Sequence, residues 1–243
     1  EDLGITKAAA GQFFLFLAMG FFITMLLSSI PASTLGHRQT ILFSSLSTTL
    51  GALFIGLSGG VSGIKIGFLF IGVGSGLYLP SGVATITEVS GRQKAPSRIA
   101  LHEMAPTVAF ITIPIIVNGL LTLMPWRFLF IVIGGLHLLM GLVFIFLGSG
   151  LDYRGKPVDP GFIFSLIRQR RFWVITLYFV LFYGSMLGVF SILPTFLASE
   201  KGMGLEQANF VTGLTRLSII PSLMAVGWFI RKTTTGQFIG VVF

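Results

Sequence analysis

The chain is dominated by apolar runs of about 20 residues, which is the length a helix needs to cross the hydrocarbon core of a bilayer. Such runs lie near 11–32, 40–59, 66–87, 101–123, 128–148, 172–197 and 208–230, and an eighth begins at Gln237. They are continuous and do not alternate with polar residues, so they predict transmembrane helices and not the strands of a barrel. The predicted fold class is therefore an all-α polytopic membrane protein.

Composition excludes a soluble globular domain. Hydrophobic residues make up 53% of the chain and charged residues 10%, and the mean hydropathy is +0.93. The net charge of +8 resides mostly in the loops between apolar runs, so it indicates membrane orientation and not a nucleic-acid surface. The chain has no cysteine, which excludes disulfides and thiolate chemistry. We predict no metal site, no cofactor and no enzymatic activity.

A basic passage separates the fifth apolar run from the sixth. Between residues 151 and 171 the basic residues are Arg154, Lys156, Arg168, Arg170 and Arg171, and the acidic ones are Asp152 and Asp159. Loops rich in Lys and Arg stay on the cytoplasmic side of a membrane. With this passage placed there, eleven of the 16 basic residues fall on the same side. We predict a multi-pass inner- or plasma-membrane protein with the 149–171 loop in the cytoplasm.

The same passage divides the chain into two helix bundles. We predict an N-terminal bundle over 1–148, a basic linker over 149–171, and the start of a C-terminal bundle from 172 to 243. Segments 4–36 and 204–236 share a Gly-led polar turn, a span and a Thr-containing loop that ends in Gly. Weak repeats of this kind occur in transporter folds. The repeat predicts one further span upstream of Glu1 and a second bundle that continues beyond Phe243.

The loop after the first run carries a motif of a known family. It reads SIPASTLGHRQ and resembles the Gly-rich, Arg-containing loop between the second and third helices of the major facilitator superfamily. Gly36 and Arg38 match that loop, and with Ser33 they form the predicted gating loop. Ser33 stands where that family has Asp, Ser29 replaces its first Gly, and Thr34 replaces a basic residue. These departures weaken the expectation of the family's charged latch.

Further segments are similar to that family's helices in the same order. They are FIGVGSGLYLP at 70–80, TIPIIVNG at 112–119, MPWRFLF at 124–130 and QRRFW at 169–173. The resemblance implies two pseudo-two-fold helix bundles, of which this chain holds about the second to eighth helices. It implies a secondary transporter that moves a small solute by alternating access. The run Gly72, Gly74, Gly76 lies inside an apolar span, so we predict close helix packing there and not a dinucleotide loop.

Arg216 is the main candidate for substrate binding. It lies eight residues into the 208–230 run, about 12 Å along a helix. An unpaired guanidinium is costly at that depth, so it should face a cavity or a partner. Its fork of donors suits a carboxylate or phosphate, which predicts a small organic anion or zwitterion as substrate. A structural ion pair is the competing interpretation.

The remaining candidates are polar groups within apolar spans. Tyr78, Asn118, Tyr183 and Ser185 are predicted to contact substrate, although such residues also bond neighbouring helices. Glu103 beside His102 is predicted to carry a proton, which would couple transport to a proton gradient. The metalloprotease motif HExxH is absent, because Pro106 stands where its second His would be.

Two further alternatives remain open from the sequence. The altered 29–38 loop favours a membrane sensor or assembly protein on the same fold, whereas Arg216 favours transport. Within the basic linker, the stretch from Pro160 to Arg171 suits either a short amphipathic helix on the inner membrane surface or a plain tether. The predicted partners are the lipid bilayer, a small-molecule substrate and protons.

Overall fold

The computed structural model describes residues 7–148, 153–157, 159–215, 217 and 221. In these ranges the chain forms only helices and their connections. The helices are α1 Lys7–Leu27, α2 Ser29–Thr34, α3 His37–Leu57, α4 Val61–Leu121, α5 Trp126–Leu147, α6 Pro160–Ile167, α7 Arg170–Glu200 and α8 Leu205–Thr215. The all-α prediction is confirmed.

Five helical segments of the described chain are long and apolar enough to cross a membrane: Gly11–Thr34, His37–Leu57, Val61–Gly91, Gln93–Leu121 and Trp126–Leu147. They coincide with the first five apolar runs of the sequence. Helix α7 covers the sixth run with 31 residues. The seventh run, 208–230, lies mostly outside the described residues, and only its beginning is seen in α8.

The connection between the third and fourth spans differs from the prediction. The sequence suggests a loop over 88–100, but the chain there is helical except at Gly91, whose φ is +70°. Polar residues form helix as readily as apolar ones once they extend beyond the hydrocarbon, so hydropathy underestimates helix length. The left-handed backbone at Gly91 breaks α4 into two spans, because glycine carries no Cβ to oppose that conformation.

The described helices belong to two compact units. Unit 1 holds the residues up to Leu101 together with Leu120–Ile167, and unit 2 holds His102–Gly119 together with the residues from Arg168 onward. In unit 2, α8 lies against the second half of α4, because a Cβ at Gly213 would be 3.8 Å from the Ile111 carbonyl oxygen. Ala208 and Thr212 form the buried face of α8.

Glycines let the helices of unit 1 approach closely. A Cβ at Gly51 of α3 would lie 2.6 Å from the Gly67 carbonyl oxygen of α4, and a Cβ at Gly67 would lie 2.6 Å from the Gly51 carbonyl oxygen. A Cβ at Gly74 would lie 2.6 Å from the Ser44 carbonyl oxygen, and a Cβ at Gly72 would overlap the Leu17 carbonyl oxygen. Contacts this short leave no room for a methyl group. The prediction that the Gly72-to-Gly76 run serves close packing is confirmed.

Hydroxyl groups reinforce these contacts by donating across helices to backbone carbonyls. Ser44 Oγ donates to Gly74 O at 2.7 Å and Ser47 Oγ donates to Phe70 O at 2.8 Å, joining α3 to α4. Thr49 Oγ1 donates to Gly134 O at 3.1 Å, joining α3 to α5. Thr24 Oγ1 donates to Val73 O at 3.1 Å, joining α1 to α4. Each bond places a polar side chain of α1 or α3 without exposing it to hydrocarbon.

The linker contains a helix with a defined start. Asp159 is the N-cap of α6, since its Oδ1 accepts a hydrogen bond from the Gly161 amide at 2.9 Å. Pro160 occupies the first helical position, where its missing amide hydrogen costs nothing. A helix is therefore observed, but it ends at Ile167 and not at Arg171, because Arg170 and Arg171 begin α7. Its predicted place on the inner membrane surface stays a prediction.

A matched pair of glycine substitutions tests the packing of unit 1. We expect Gly51→Ala to lower the free energy of unfolding by about 1–3 kcal/mol, because the added methyl group overlaps the backbone of α4. Gly135→Ala is the control, since nothing lies within 4 Å of a Cβ there. The control should be neutral or stabilise by about 0.5–1 kcal/mol. Thermal unfolding of the purified variants checks this, and equal effects at both positions would contradict the packing.

Candidate functional site

The predicted gating loop forms a tight turn between α2 and α3. Gly36 has φ +94° and ψ 161°, a backbone conformation that only glycine adopts without strain. A Cβ at this position would also lie 3.2 Å from the Tyr153 carbonyl oxygen. The turn is closed by Thr40, whose buried hydroxyl donates to Gly36 O at 2.9 Å. Gly36 thus serves both the turn and the approach of a second segment.

That second segment is the start of the linker, and we call Tyr153–Gly155 the strap. The Gly155 amide donates to Ala32 O at 2.9 Å, and the His37 amide donates to Tyr153 O at 3.4 Å. The rings of His37 and Tyr153 lie 4.8 Å apart between centroids. Two backbone hydrogen bonds and one ring contact therefore hold the linker against the α2–α3 turn. We call this end of unit 1 the strap end.

The Tyr153 hydroxyl lies buried beside α4. Burial raises the pKa of Tyr153, the Thr85 hydroxyl lowers it and the Glu88 carboxylate raises it. The net rise keeps the phenol neutral at physiological pH. Within the described part of the chain, no hydrogen bond of normal geometry joins the Tyr153 and Thr85 hydroxyls, and both oxygens are buried without a partner there. The ring contact with His37, and not the hydroxyl, thus fixes Tyr153.

Arg38 caps a neighbouring helix. Its guanidinium donates to the Ile145 carbonyl oxygen in the last turn of α5. At the opposite end of the same helix pair, Arg127 of α5 donates to the Ser58 carbonyl oxygen at the end of α3. A cation at a helix C-terminus satisfies free carbonyls and opposes the helix dipole. The two arginines therefore clamp the antiparallel pair α3 and α5 at both ends.

Among the described residues, the hydrogen bond of Ser33 is local, since its hydroxyl donates to Ile30 O at 3.0 Å within α2. The predicted gating residues thus have three separate structural roles. Gly36 shapes the turn, Arg38 joins α3 to α5, and Ser33 stays within its own helix. The structure brings Gly36 and Arg38 to the strap end.

The predicted proton carrier lies in unit 2. His102 Nδ1 and Glu103 Oε1 are 3.3 Å apart, and the Glu103 side chain is 53% exposed. Asn118 stands 15 residues further along the same helix, about 22 Å away along its axis. Glu103 and Asn118 therefore lie at different depths of the second half of α4.

The other predicted substrate contacts are spread over both units. In unit 1 the ring of Tyr78 lies over its own helix, with its Cζ 3.3 Å from the position of a Cβ at Gly82. In unit 2, Ser185 donates to Phe182 O at 3.0 Å on α7. Tyr183 lies within α7, and its side chain lies outside the described residues. Arg216 also lies outside them, so its predicted role stays a prediction.

A groove of about 440 Å³ runs along α7. Its lining residues are Gly184, Ser185, Gly188, Val189, Ile192, Leu193 and Phe196. Nothing lies within 4 Å of a Cβ at Gly184 or Gly188. The groove is almost wholly apolar, so of the predicted contacts only Ser185 offers it a polar group. Among the described residues no group of three or more His, Asp or Glu could hold a metal ion.

Sequence reasoning missed the strap and the clamp partner Arg127. The strap is held mainly by backbone groups, which leave no side-chain pattern to read. Its only signal is Gly155 in a polar loop, where a Cβ would lie 3.2 Å from His37 Nε2. Arg127 directly follows Trp126 at the start of α5, and its guanidinium carbon lies 4.6 Å from the Trp126 ring.

Comparison with known proteins places the whole chain in one family. The family model described as Major Facilitator Superfamily matches residues 1–243. A crystal structure of a mutant of the peptide transporter POT superposes with a TM-score of 0.60 at 15% identity, covering 95% of this chain and 61% of that transporter. The chain thus spans about three fifths of that protein.

Two related structures agree less well. They are the mutant and the unmutated POT transporter in complex with sulfate, each with a TM-score of 0.49 at 15% identity, covering 94% of this chain and 44% of theirs. No curated protein matches the chain. The family match and the five long apolar helices confirm the predicted multi-pass membrane class. From the match over all 243 residues, the chain belongs to the major facilitator superfamily.

Proposed function

We propose that this chain is part of a secondary transporter that moves a small organic anion or zwitterion by alternating access. The observation that carries the proposal is the family match over residues 1–243. The helices that agree with it are long, apolar and closely packed. The similar solved structure is that of a peptide transporter, and a peptide is a zwitterion. At 15% identity that likeness supports the fold alone, so the substrate class rests on Arg216.

The depth of Arg216 within the 208–230 apolar run supports a binding role. A guanidinium in an apolar span is costly unless it has an anionic partner or faces a cavity. We propose that the carboxylate or phosphate of the substrate is that partner.

We further propose that the strap end faces the cytoplasm of the inner or plasma membrane. The basic excess of the linker supports this side, because positively charged loops are retained in the cytoplasm. The strap then holds the α2–α3 turn from the cytoplasmic side. It takes the place of the charged latch that Ser33 cannot supply. A membrane sensor or assembly protein remains the second candidate, because the same altered loop favours it.

Arg216 variants of the full-length protein in proteoliposomes test the substrate class. We expect Arg216→Ala to raise the KM for exchange of a small organic anion or zwitterion by about 10- to 100-fold, since a hydrogen bond to a charged group is lost. Arg216→Lys should retain part of the affinity, because it keeps the charge without the fork of donors. Arg98→Ala, which removes an exposed charge, is the control. Unchanged KM in both Arg216 variants would remove the assignment.

Glu103→Gln tests the proton coupling. Because the amide cannot release a proton, we expect the variant to lose uptake driven by a proton gradient while it retains exchange without a gradient. His102→Asn is the companion variant, since it removes the group 3.3 Å from Glu103 and leaves the carboxylate. Gradient-driven uptake by Glu103→Gln at the normal rate would exclude Glu103 as the carrier.

Two substitutions at Tyr153 test the strap. Tyr153→Ala removes the ring contact with His37, and aromatic pairs contribute about 0.5–1.5 kcal/mol beyond their buried area. We expect faster hydrogen exchange at the Gly155 and His37 amides and a changed uptake rate. Tyr153→Phe keeps the ring, and its hydroxyl makes no hydrogen bond, so this control should behave like the unchanged protein. Equal exchange in both variants would show that the ring does not hold the strap.

A further inference from the structure

Helix α6 exposes large apolar side chains outside the helices that cross the membrane. Phe162 is 60% exposed, Ile163 is 43% exposed and Phe164 is 62% exposed. These residues are consecutive, so they point in different directions around the helix. Groups of exposed aromatic and aliphatic side chains mark an interaction surface and not a solvated loop. The linker thus contains a helix with exposed apolar side chains, whereas a plain tether would be polar.

The charged residues that follow α6 are positive, whereas Asp159, directly before the helix, is its N-cap. Arg168, Arg170 and Arg171 follow the helix within four residues, and all three are exposed. No acidic residue occurs from Pro160 to Glu200 except Glu200 itself. A partner for this surface must therefore offer negative charge together with an apolar layer.

The position of α6 in the chain favours the membrane as its partner. In the sequence, α6 lies between the end of α5 at Leu147 and the start of α7 at Arg170, and both of those helices cover predicted membrane spans. Helix α7 has 31 residues, about 46 Å of helix against a hydrocarbon core of about 30 Å. Its first turn can thus extend beyond the hydrocarbon and place Arg170 and Arg171 among lipid headgroups.

The strap restricts how far α6 can travel. Gly155 is bound to Ala32 at the strap end, and only four residues separate it from the first residue of α6. The backbone from Gly155 to Pro160 makes five Cα-to-Cα steps, which reach at most about 18 Å. Helix α6 therefore stays close to the end of unit 1, beside the plane of the bilayer surface.

We propose that α6 and the three arginines after it form a binding surface for anionic phospholipids, which we call the lipid-binding surface. The apolar side chains of α6 enter the boundary between headgroups and acyl chains. The arginines hold the phosphates and other anionic groups of the headgroups, with donor forks that suit phosphate. An acidic soluble protein would also match the charge, but the membrane is already adjacent and offers both the negative charge and the apolar layer.

The absence of cysteine from these 243 residues allows a single-label measurement. Full-length protein carries Ser165→Cys with a nitroxide label, any cysteine elsewhere being replaced. It is placed in nanodiscs of phosphatidylcholine alone or with 30% phosphatidylglycerol. Collision with oxygen and with a water-soluble nickel complex reports the depth of the label. We expect the label to lie at headgroup depth in the anionic discs, with the ratio of embedded to water-exposed label raised about fivefold per bound arginine.

Two matched double variants test whether lipid binding depends on these particular arginines or on any two positive charges of the linker. Arg170→Gln with Arg171→Gln and, as control, Arg154→Gln with Lys156→Gln each remove two positive charges from the linker region. We expect the first pair to reduce the effect of phosphatidylglycerol to about the fivefold that Arg168 contributes, and the control pair to preserve the full effect. Phe162→Ser with Ile163→Ser should move the label into water in both lipids. Since each readout is label depth and not flux, it is independent of whether the protein transports.

Three results would overturn the proposal. One is a label at the same depth in both lipid compositions, and another is a loss of lipid dependence that is equal in the two arginine and lysine pairs. The third is a label exposed to water in every disc, which would assign the surface to a soluble acidic partner instead. Raising the salt to about 0.5 M should weaken the expected lipid dependence, because screening shortens the reach of the arginines.

Discussion

The close approach of α3 and α4 at Gly51 and Gly67 is the contact on which unit 1 depends. Apolar side chains gain little by leaving lipid for the interior of a helix bundle, so helices associate in a membrane through close packing and hydrogen bonds. Glycines remove the side chains that would keep the backbones apart. The hydroxyls of Ser44 and Ser47 can then reach carbonyl oxygens of α4. One pair of glycines thus permits both kinds of contact.

Arg38, Arg127 and the strap stabilise the ends of the helices, again through hydrogen bonds to backbone groups. Helix termini carry free carbonyls and amides that the hydrocarbon cannot satisfy. Arg38 and Arg127 satisfy such carbonyls on the neighbouring helix, which ties α3 to α5 at both ends. The strap uses backbone groups of Tyr153 and Gly155 for the same purpose at the α2–α3 turn. The region that resembles a gating loop is therefore held by neutral contacts and helix capping.

The sequence predicted the parts of this structure that depend on side-chain type. The bilayer imposes a length on each helix, so hydropathy alone finds the spans, and the Gly72 run predicts close packing because no other role fits an apolar helix. The ends of the helices were harder to predict from hydropathy. The polar residues around Gly91 also form helix, so the sequence does not show that the chain breaks at Gly91 alone. The strap could not be predicted, because the backbone hydrogen bonds from Gly155 to Ala32 and from His37 to Tyr153 leave no side-chain pattern in the sequence. The role of Arg127 was not predicted, because it depends on the Ser58 carbonyl oxygen at the end of the neighbouring helix.

The sequence predicts the candidate site less completely than the fold, and the reason is physical. A substrate site in this kind of protein is formed by side chains from several helices, and sequence spacing relates only residues of one helix. Glu103 and Asn118 share a helix, so their separation along it follows from the sequence. Tyr78 and Ser185 lie in different units, so spacing says nothing about their distance. Arg216 is singled out by the cost of its charge within an apolar span and by nothing else.

Concentrative uptake is the most direct test of the proposed secondary transport. The full-length protein is reconstituted in proteoliposomes, and an inward proton gradient is imposed in the presence of a panel of organic anions, zwitterions, sugars and drugs. We predict that one small anion or zwitterion accumulates inside above its external concentration and that a protonophore abolishes the accumulation. Absence of flux for every member of the panel, from protein with a normal unfolding transition, would contradict transport and favour the sensor or assembly function.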